Sequence, residues 1–429
     1  MKLAALAVLP FLLAPGVAVA QSDDAASPSG AVTAAADSAA APRVVYHRSS
    51  LEELAALPGT VAYIPFDLLL TASEFAVAAI WEQRLLDRFK SWLTTADGRL
   101  GVRPLAATSI GTGARLFYKD AFGFDAELTS SRGTSSTKRN HHILVLDLPH
   151  GLLLRGRSHM TLRYRKQPGE SFYGIGNDSR LETRSRFLQE DMEFSFSHSR
   201  QLGDALRLDG GIGYHSVDIR EGEYGIEPGS QSRYSAAQVA GIDGLTRLIE
   251  ADLGLGASFV DVPGSPTAGN KMLVRAGYTR ALKGEELSHA SLTVVSEQFH
   301  QLLYRRILSL RLGVDWRQTI GDDRVPFYAL AKVGGNLSVR GYDRGRFRDR
   351  GAAFATLTYK YPIWKLVDGT LFYEAGRTFH SPDELTFEDW HPSYGGGVRI
   401  WVPDGVVFQQ SISHSSEQTR LLFSFRTDF

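Results

Sequence analysis

The sequence predicts an all-β protein: a transmembrane antiparallel β-barrel of about 16 strands, preceded by a short N-terminal periplasmic helical segment. Three observations lead to this fold class. Residues 1–20 have the pattern of a secretory signal, the chain beyond residue 106 alternates apolar and polar residues, and the last segment ends on an aromatic residue. Together they indicate an exported chain that crosses a membrane with strands.

The composition of the chain excludes several classes of function. It has 429 residues, of which 43% are hydrophobic, and a formal net charge of zero, so nothing indicates a nucleic-acid-binding surface. The absence of cysteine excludes disulfides and cysteine-based metal or thiol chemistry. No apolar run of about 18 residues follows the signal, so a transmembrane helix is not expected, whereas a barrel strand needs apolar residues on one face only.

The N-terminal quarter divides into three segments. Residues 1–20 read as a cleaved signal peptide, and residues 21–43, rich in Ala, Ser, Asp and Pro, predict a disordered tether. Residues 44–105 predict a short periplasmic helical segment, because apolar residues follow the capping box Thr71-Ala72-Ser73-Glu74 at intervals of three and four. We expect this helix to pack beneath the following domain; recruitment of a partner protein is the alternative.

Residues 106–429 are predicted to form the barrel. After Ile307, every second residue from Leu308 to Trp316 is Leu, Val or Trp, and the residues that follow them, up to Arg317, are Ser, Gly or charged. A soluble sandwich would alternate too, but acidic and basic residues at successive inward positions suit a polar lumen, and outward aromatics near strand ends suit interfacial girdles. The alternating segments begin at 111–118, include 326–333 and end at 420–429, which gives an even count of about 16.

The last segment carries a predicted assembly signal. Phe423, Phe425 and Phe429 share one face of residues 420–429, and the chain stops on the aromatic. Outer-membrane barrels commonly end this way, because the last strand must close the sheet and present a signal to the assembly machinery. The expected partners are therefore outer-membrane lipid and, during biogenesis, the barrel-assembly machinery.

One polar stretch between two strand-like segments requires a special environment. Residues 334–351 contain five arginines and five glycines, with few apolar residues, so in water they have no reason to fold. We expect this loop to fold back into the barrel interior, with Gly341 and Gly345 permitting a tight turn. An extracellular loop that binds lipopolysaccharide is the alternative.

Two short motifs resemble those of a known family. Val339-Arg340-Gly341-Tyr342 resembles the loop-tip motif of the BamA/TamA-type superfamily of outer-membrane insertases and two-partner-secretion transporters, also called the bacterial surface antigen family. Phe372-Tyr373-Glu374-Ala375-Gly376 resembles the family's Phe-X-Asp-X-Gly. Tyr173 to Asp178 resembles a stretch common in members without long periplasmic arms. The resemblance implies that Arg340 pairs with Glu374 in the lumen, and that Phe372, Glu374 and Gly376 anchor the loop on the barrel wall.

The chain departs from the family in two places. Many members carry an inward glutamate on the strand after the loop, where this chain has Thr358, which leaves Glu374 as the main anchor. The segment 44–105 is short for one of the family's periplasmic repeat domains, so the chain resembles a member that lacks clear ones.

The resemblance implies a function in the Gram-negative outer membrane: assisting proteins to cross or enter that membrane, without a cofactor, a metal or a chemical step. A weak seam between Gly111-Thr112-Gly113 and Leu421 to Phe429 would open for a secreted or membrane protein client, which residues 344–350 would meet. The alternative is a passive pore or structural barrel without a client.

An enzymatic function is not expected. No hydrolase, zinc-protease or phosphate-binding motif occurs in the sequence, and His141-His142 is as easily explained by a solvated loop as by a metal site. His414 lies near Ser411 and Ser413, but in a regular strand it points to the opposite face.

Overall fold

The computed structural model describes residues 93–107, 111–121, 124–132, 139–148, 156–222, 225–282, 286–364, 367–402 and 405–425. The predicted signal peptide, the tether and residues 44–92 of the helical segment lie outside these residues, as does Phe429. Within the described ranges, no helix is long and apolar enough to span a membrane.

Most of the described residues belong to one antiparallel sheet of sixteen strands. In chain order the strands of the protein are β1 (Leu100–Ala107), β2 (Gly111–Ala121), β3 (Phe124–Arg132), β4 (Asn140–Leu148), β5 (Arg157–Phe172), β6 (Ser185–Leu202), β7 (Leu206–Glu221), β8 (Gly244–Val260), β9 (Gly269–Ala281), β10 (His289–Leu303), β11 (Arg306–Thr319), β12 (Ala331–Val333), β13 (Phe347–Asp349), β14 (Gly351–Pro362), β15 (Val367–Phe379), β16 (His391–Val402), β17 (Gly405–Ser415) and β18 (Thr419–Phe425).

The strands of this sheet follow one another in chain order, except that β11 pairs with β14. The omitted strands, β12 and β13, form a separate two-stranded hairpin. A short helix, α1 (Ser230–Arg233), lies in the connection between β7 and β8, and two 3₁₀ turns occupy Leu181–Thr183 and Pro382–Glu384. β1 and β18 are the end strands, and their Cα atoms approach within 8 Å.

The predicted alternation defines the two faces of the sheet. In β8, Ile249, Leu253 and Phe259 are 48%, 58% and 56% exposed on the outer face. The side chains between them face inward: Glu250 Oε1 lies 3.3 Å from His215 Nδ1, and Asp252 Oδ2 accepts a hydrogen bond from Arg275. The all-β prediction, with an apolar outer face and a charged inner face, is confirmed.

The predicted number of strands is confirmed, but the first strand was placed wrongly. β1 begins at Leu100, inside the segment 44–105 that was predicted to be helical, and Gly111 to Gly113 start the second strand. β1 is not predicted from the sequence because Pro104 interrupts the pattern of a strand. Proline is tolerated here because an end strand has one side without a ladder partner.

Residues 326–333 were wrongly assigned to the sheet. They belong to a long segment between β11 and β14, residues 320–350, here called the inward segment, in which only Ala331–Val333 and Phe347–Asp349 are strands. Phe327, Leu330 and Val333 are 0%, 5% and 0% exposed. Their apolar side chains pack inside the protein, and this imitates the pattern of a strand that faces lipid. The loop predicted as 334–351 therefore begins earlier.

The inward segment folds around apolar side chains as well as polar ones. Its first part joins a cluster with the ends of β5 to β8 and the connection after α1; the members are Phe172, Phe187, Val217, Ile219, Val239, Ile242, Leu248, Val325, Phe327, Tyr328 and Leu330. Its second part forms a cluster of its own, with Ala331, Val333, Val339, Tyr342, Phe347 and Ala352. Apolar burial therefore orders a segment whose composition alone predicts a mobile loop.

Candidate functional site

The tip of the inward segment, residues 339–342, lies against the inner face of β15 to β18; these two surfaces are called the loop tip and the wall. Arg340 Nε donates to Glu374 Oε1 at 2.7 Å, and the backbone N–H of Arg340 donates to Oε2 at 2.7 Å. Glu374 is 2% exposed. The structure thus brings together the two residues that the resemblance implies are paired, and the carboxylate also holds the backbone of the tip.

Phe372 and Gly376, the inward neighbours of Glu374 on β15, both contact the loop tip. The guanidinium carbon of Arg340 lies 3.5 Å from the centre of the Phe372 ring, a cation–π contact. A Cβ atom on Gly376 would lie 2.8 Å from Val333 and 2.9 Å from Val339. Residue 376 must therefore be glycine for the segment to lie this close to the wall.

Gly341, on the loop tip, also permits close approach to the wall. Its N–H donates to Ser393 Oγ on β16 at 3.1 Å, and its carbonyl accepts from Ser415 Oγ on β17 at 2.9 Å. A Cβ atom at this position would lie within 3 Å of both serines. Its backbone is outside the left-handed region, in contrast to Gly345, whose φ is +64°. The turn therefore needs Gly345, whereas Gly341 is needed for close approach.

The end strand β18 also holds the loop tip, through a residue that the sequence analysis did not select. Arg420 Nη1 donates to the carbonyls of Arg340 at 3.0 Å and Tyr342 at 2.5 Å. Tyr342 is 1% exposed, and its hydroxyl lies 3.1 Å from Ser416 Oγ. The inward parity of Arg420 was the available signal, but parity does not identify a partner.

The far side of the inward segment contacts the end of β5, the connection after it and the turn between β17 and β18. Arg346 donates to Glu417 at 2.9 Å and to the carbonyl of Ser179 at 2.8 Å, and Arg348 donates to the carbonyl of Ser171 at 3.0 Å. Arg346 and Arg348 are 2% and 3% exposed. Two of the residues 344–350 that were expected to meet a passing client, Arg346 and Arg348, are thus buried and hydrogen-bonded in this structure.

Residues 173–178, which also resemble a family stretch, connect the inward segment to the wall. The N–H of Gly176 donates to the carbonyl of Arg348 at 2.8 Å. Asn177 Oδ1 accepts from the N–H of Thr378 at 2.9 Å, and Asn177 O lies 3.0 Å from His391 Nε2. No partner for this stretch is evident from the sequence, and in the structure it bridges β13, β15 and β16.

Asp343 is a titratable group of the inward segment outside the sheet. It accepts hydrogen bonds from Tyr173 at 2.9 Å and from Gln418 at 3.1 Å, and Arg420 lies 3.8 Å away. Burial tends to raise the pKa of Asp343, but these hydrogen bonds and the nearby guanidinium outweigh it and lower the pKa below 3.8. Burial and Asp343 together raise the pKa of Tyr173 to about 12.

The arrangement is suited to holding a segment in place. In the described part of the chain, no group of three or more His, Asp or Glu residues could hold a metal ion. His414 is exposed and lies 2.8 Å from Thr419 Oγ1, whereas Ser411 and Ser413 are buried on the other face, as the parity of the strand predicts.

Of the three terminal aromatics, Phe423 lies in β18, the backbone of Phe425 ends that strand, and Phe429 lies outside the described residues.

Comparison with known proteins identifies the family. The Omp85 superfamily domain matches residues 157–407, more than half of the chain, including the inward segment and Glu374. This chain belongs to the Omp85 superfamily. No curated protein sequence matched this Omp85 member.

Solved structures that match this Omp85 chain include a BamA and a CdiB. The crystal structure of BamA from Haemophilus ducreyi lacking POTRA domains 1–3 matches with a TM-score of 0.55 and 15% identity, over 75% of this chain and 67% of that one. CdiB from Acinetobacter baumannii matches with a TM-score of 0.45 and 10% identity, over 77% of this chain and 57% of that one. The fold of this Omp85 member is therefore similar to that of BamA.

Proposed function

We propose that this protein is a β-barrel of the Gram-negative outer membrane that assists other proteins to cross that membrane or to insert into it. Membership of the Omp85 superfamily supports a role of this kind. The observation that carries the proposal is the docking of the loop tip beside the end strand, where Arg420 of β18 donates to two carbonyls of the tip. A segment fixed in this way supports the edge at which a client strand would pair.

The proposed mechanism uses the edges of the sheet and no chemical step. β1 and β18 are the two strands with a neighbour on one side only in the sheet order. An edge strand presents backbone N–H and C=O groups that pair readily with another extended chain. A client strand would add to this edge while the inward segment holds the shape of the wall. We place the proposed seam between β1 and β18 and not at Gly111 to Gly113, because Gly111 begins the second strand of the sheet.

Photo-crosslinking in cells tests the proposal. A photoreactive residue at Val102 on β1 or Leu421 on β18, which are 38% and 51% exposed, should capture secreted or nascent outer-membrane proteins. The same residue at Leu253, 58% exposed on β8, is the matched control and should capture none. If cells with abundant, folded protein give no crosslinks at the two seam positions, the chain is a passive pore or a structural barrel.

A further inference from the structure

A cavity of about 1140 Å³ lies between the inward segment and the inner faces of β5 to β11. Of the lining residues that the structure describes, ten are Arg or Lys and five are Asp or Glu, an excess of five cations. Most of these cations already have partners. Arg165 pairs with Asp191, Arg184 and Arg186 with Glu227, Arg139 with Glu170, Arg317 with Asp315 and Arg420 with Asp343. The charge excess is thus concentrated in the residues without an acidic partner.

Three such cations, Lys332, Arg344 and Arg348, lie together on the inward segment. Within the described residues, none of the three has a carboxylate oxygen within 4 Å. Lys332 and Arg348 are direct partners in the β12–β13 ladder, so two like charges face each other across it. Like charges placed directly opposite in a ladder are destabilising unless something offsets them.

Buried and accessible donors occur side by side in this cluster. Arg348 is 3% exposed; its Nε and Nη2 donate to backbone carbonyls, whereas its buried Nη1 has no hydrogen-bond partner in the described structure. Burial lowers the pKa of Arg348 to about 10, so an anion nearby would favour its charged form. Lys332 and Arg344 are exposed to the cavity.

We propose that Lys332, Arg344 and Arg348 form a binding site for a multivalent phosphate anion in the cavity. A phosphate group accepts several charge-assisted hydrogen bonds at once, and the fork of an arginine suits it. Such an anion would contact the exposed Lys332 and Arg344 from the cavity and offset the like charges across the β12–β13 ladder. The site does not depend on whether the protein handles a client, because none of the three residues contacts the wall through a side-chain hydrogen bond.

Calorimetric titration of the full-length folded protein tests this site. In one arm, inorganic pyrophosphate is added in zwitterionic micelles; in the other, short-chain phosphatidic acid is added to the same micelles. Free phosphate gives saturable binding in the first arm, and a lipid headgroup gives it only in the second. Lys332→Gln and Arg344→Gln should each weaken binding about tenfold, because each removes a charge-assisted hydrogen bond.

Arg200→Gln is the matched control. Arg200 is exposed on β6 and does not line the cavity, so its substitution should leave binding unchanged. Heat-modifiability on gels verifies that each variant is folded. The proposal is overturned if the wild type binds saturably in neither arm, if the Lys332→Gln/Arg344→Gln double variant binds as tightly as the wild type, or if Arg200→Gln weakens binding equally.

Discussion

Glu374 holds the loop tip with both oxygens, one on the side chain of Arg340 and one on its backbone N–H. A buried ion pair of this kind contributes little net stability against apolar replacements, because desolvation cancels much of the Coulomb attraction. Removing only one of the two residues is costly, because the other is left as an unpaired buried charge. The pair therefore fixes where the tip lies on the wall.

A double-mutant cycle measures this coupling. Arg340→Ala and Glu374→Ala should each destabilise the folded protein by about 3–5 kcal/mol, with the double variant much less than additive, because each single variant leaves a buried charge. Urea unfolding in lipid vesicles gives the free energies. Arg163 and Glu193, 2.8 Å apart and 36% and 22% exposed, form the control pair, for which a coupling under about 1 kcal/mol is expected. Independent, additive effects at Arg340 and Glu374 would rule out the pairing.

Gly376 provides a second test at the scale of one residue. Gly376→Ala places a methyl group within 3 Å of Val333 and Val339 and should cost about 1–3 kcal/mol by overpacking. Trypsin should then cleave the inward segment faster at its arginines. Gly256→Ala in β8, where the nearest atom lies 3.8 Å away, should change neither stability nor cleavage. Equal cleavage of the two variants would contradict the close packing at Gly376.

Asp343 makes the docking of the inward segment sensitive to acid. Because its pKa is lower in the folded state, its contribution is fully present above pH 3.8 and is lost as the pH falls through the lowered value. Pepsin cleavage of the segment should therefore be faster in Asp343→Asn than in the wild type above pH 3.8, with the difference shrinking as the pH falls below that value. Asp322→Asn, at an exposed position in the same segment, should match the wild type throughout. A difference that persists at low pH would contradict this assignment.

At the scale of the element, the inward segment has two parts with different environments. Residues 334 to 346 close a turn between β12 and β13, whose last ladder partners are Val333 and Phe347. A two-residue Asn-Gly turn joins such a pair of strands well. The segment can therefore be shortened without removing the apolar cluster that contains Phe327.

Replacing residues 334–346 by Asn-Gly should raise ion conductance in planar bilayers, because it removes the loop tip and Arg344 from the interior. The matched control replaces the same residues by a Gly/Ser chain of equal length, which keeps the bulk but loses the contacts with the wall. It should give a fluctuating conductance between the two levels. An unchanged conductance in the Asn-Gly variant would show that the segment does not obstruct the interior.

The sequence predicts strands correctly where apolar and polar residues alternate strongly. It misleads where apolar side chains are buried inside the protein, because they resemble side chains that face lipid. Strands such as β8 and β11 followed directly from the period of two. β1 was missed because Pro104 interrupts a short edge strand, and residues 326–333 misled because an apolar interior and a lipid face select the same side chains. Arg340 and Glu374 were found through two short motifs. Arg420 and residues 173–178 were not assigned, since their contacts depend on how separate strands meet.

At the scale of the whole molecule, the apolar outer face predicts that a charged substitution on it destabilises the protein when lipid surrounds it. Leu253→Arg, near the middle of β8, should destabilise the protein in lipid vesicles by about 2–4 kcal/mol, as for a lipid-facing barrel position. Phe387→Arg, fully exposed between β15 and β16, should be nearly neutral. Urea unfolding in vesicles measures both. If Leu253→Arg were as mild as Phe387→Arg, this face would not contact the hydrocarbon core.

The hydrogen bonds from Arg420 to the loop tip make the edge strand and the inward segment thermodynamically linked. A client that draws β18 away from its place must also break these two bonds, so pairing at the edge weakens docking of the tip. Linkage is reciprocal: a ligand that favours the docked tip must disfavour opening of the edge by the same factor. A change in the interior that strengthens docking of the loop tip therefore lowers the affinity of a client for the edge.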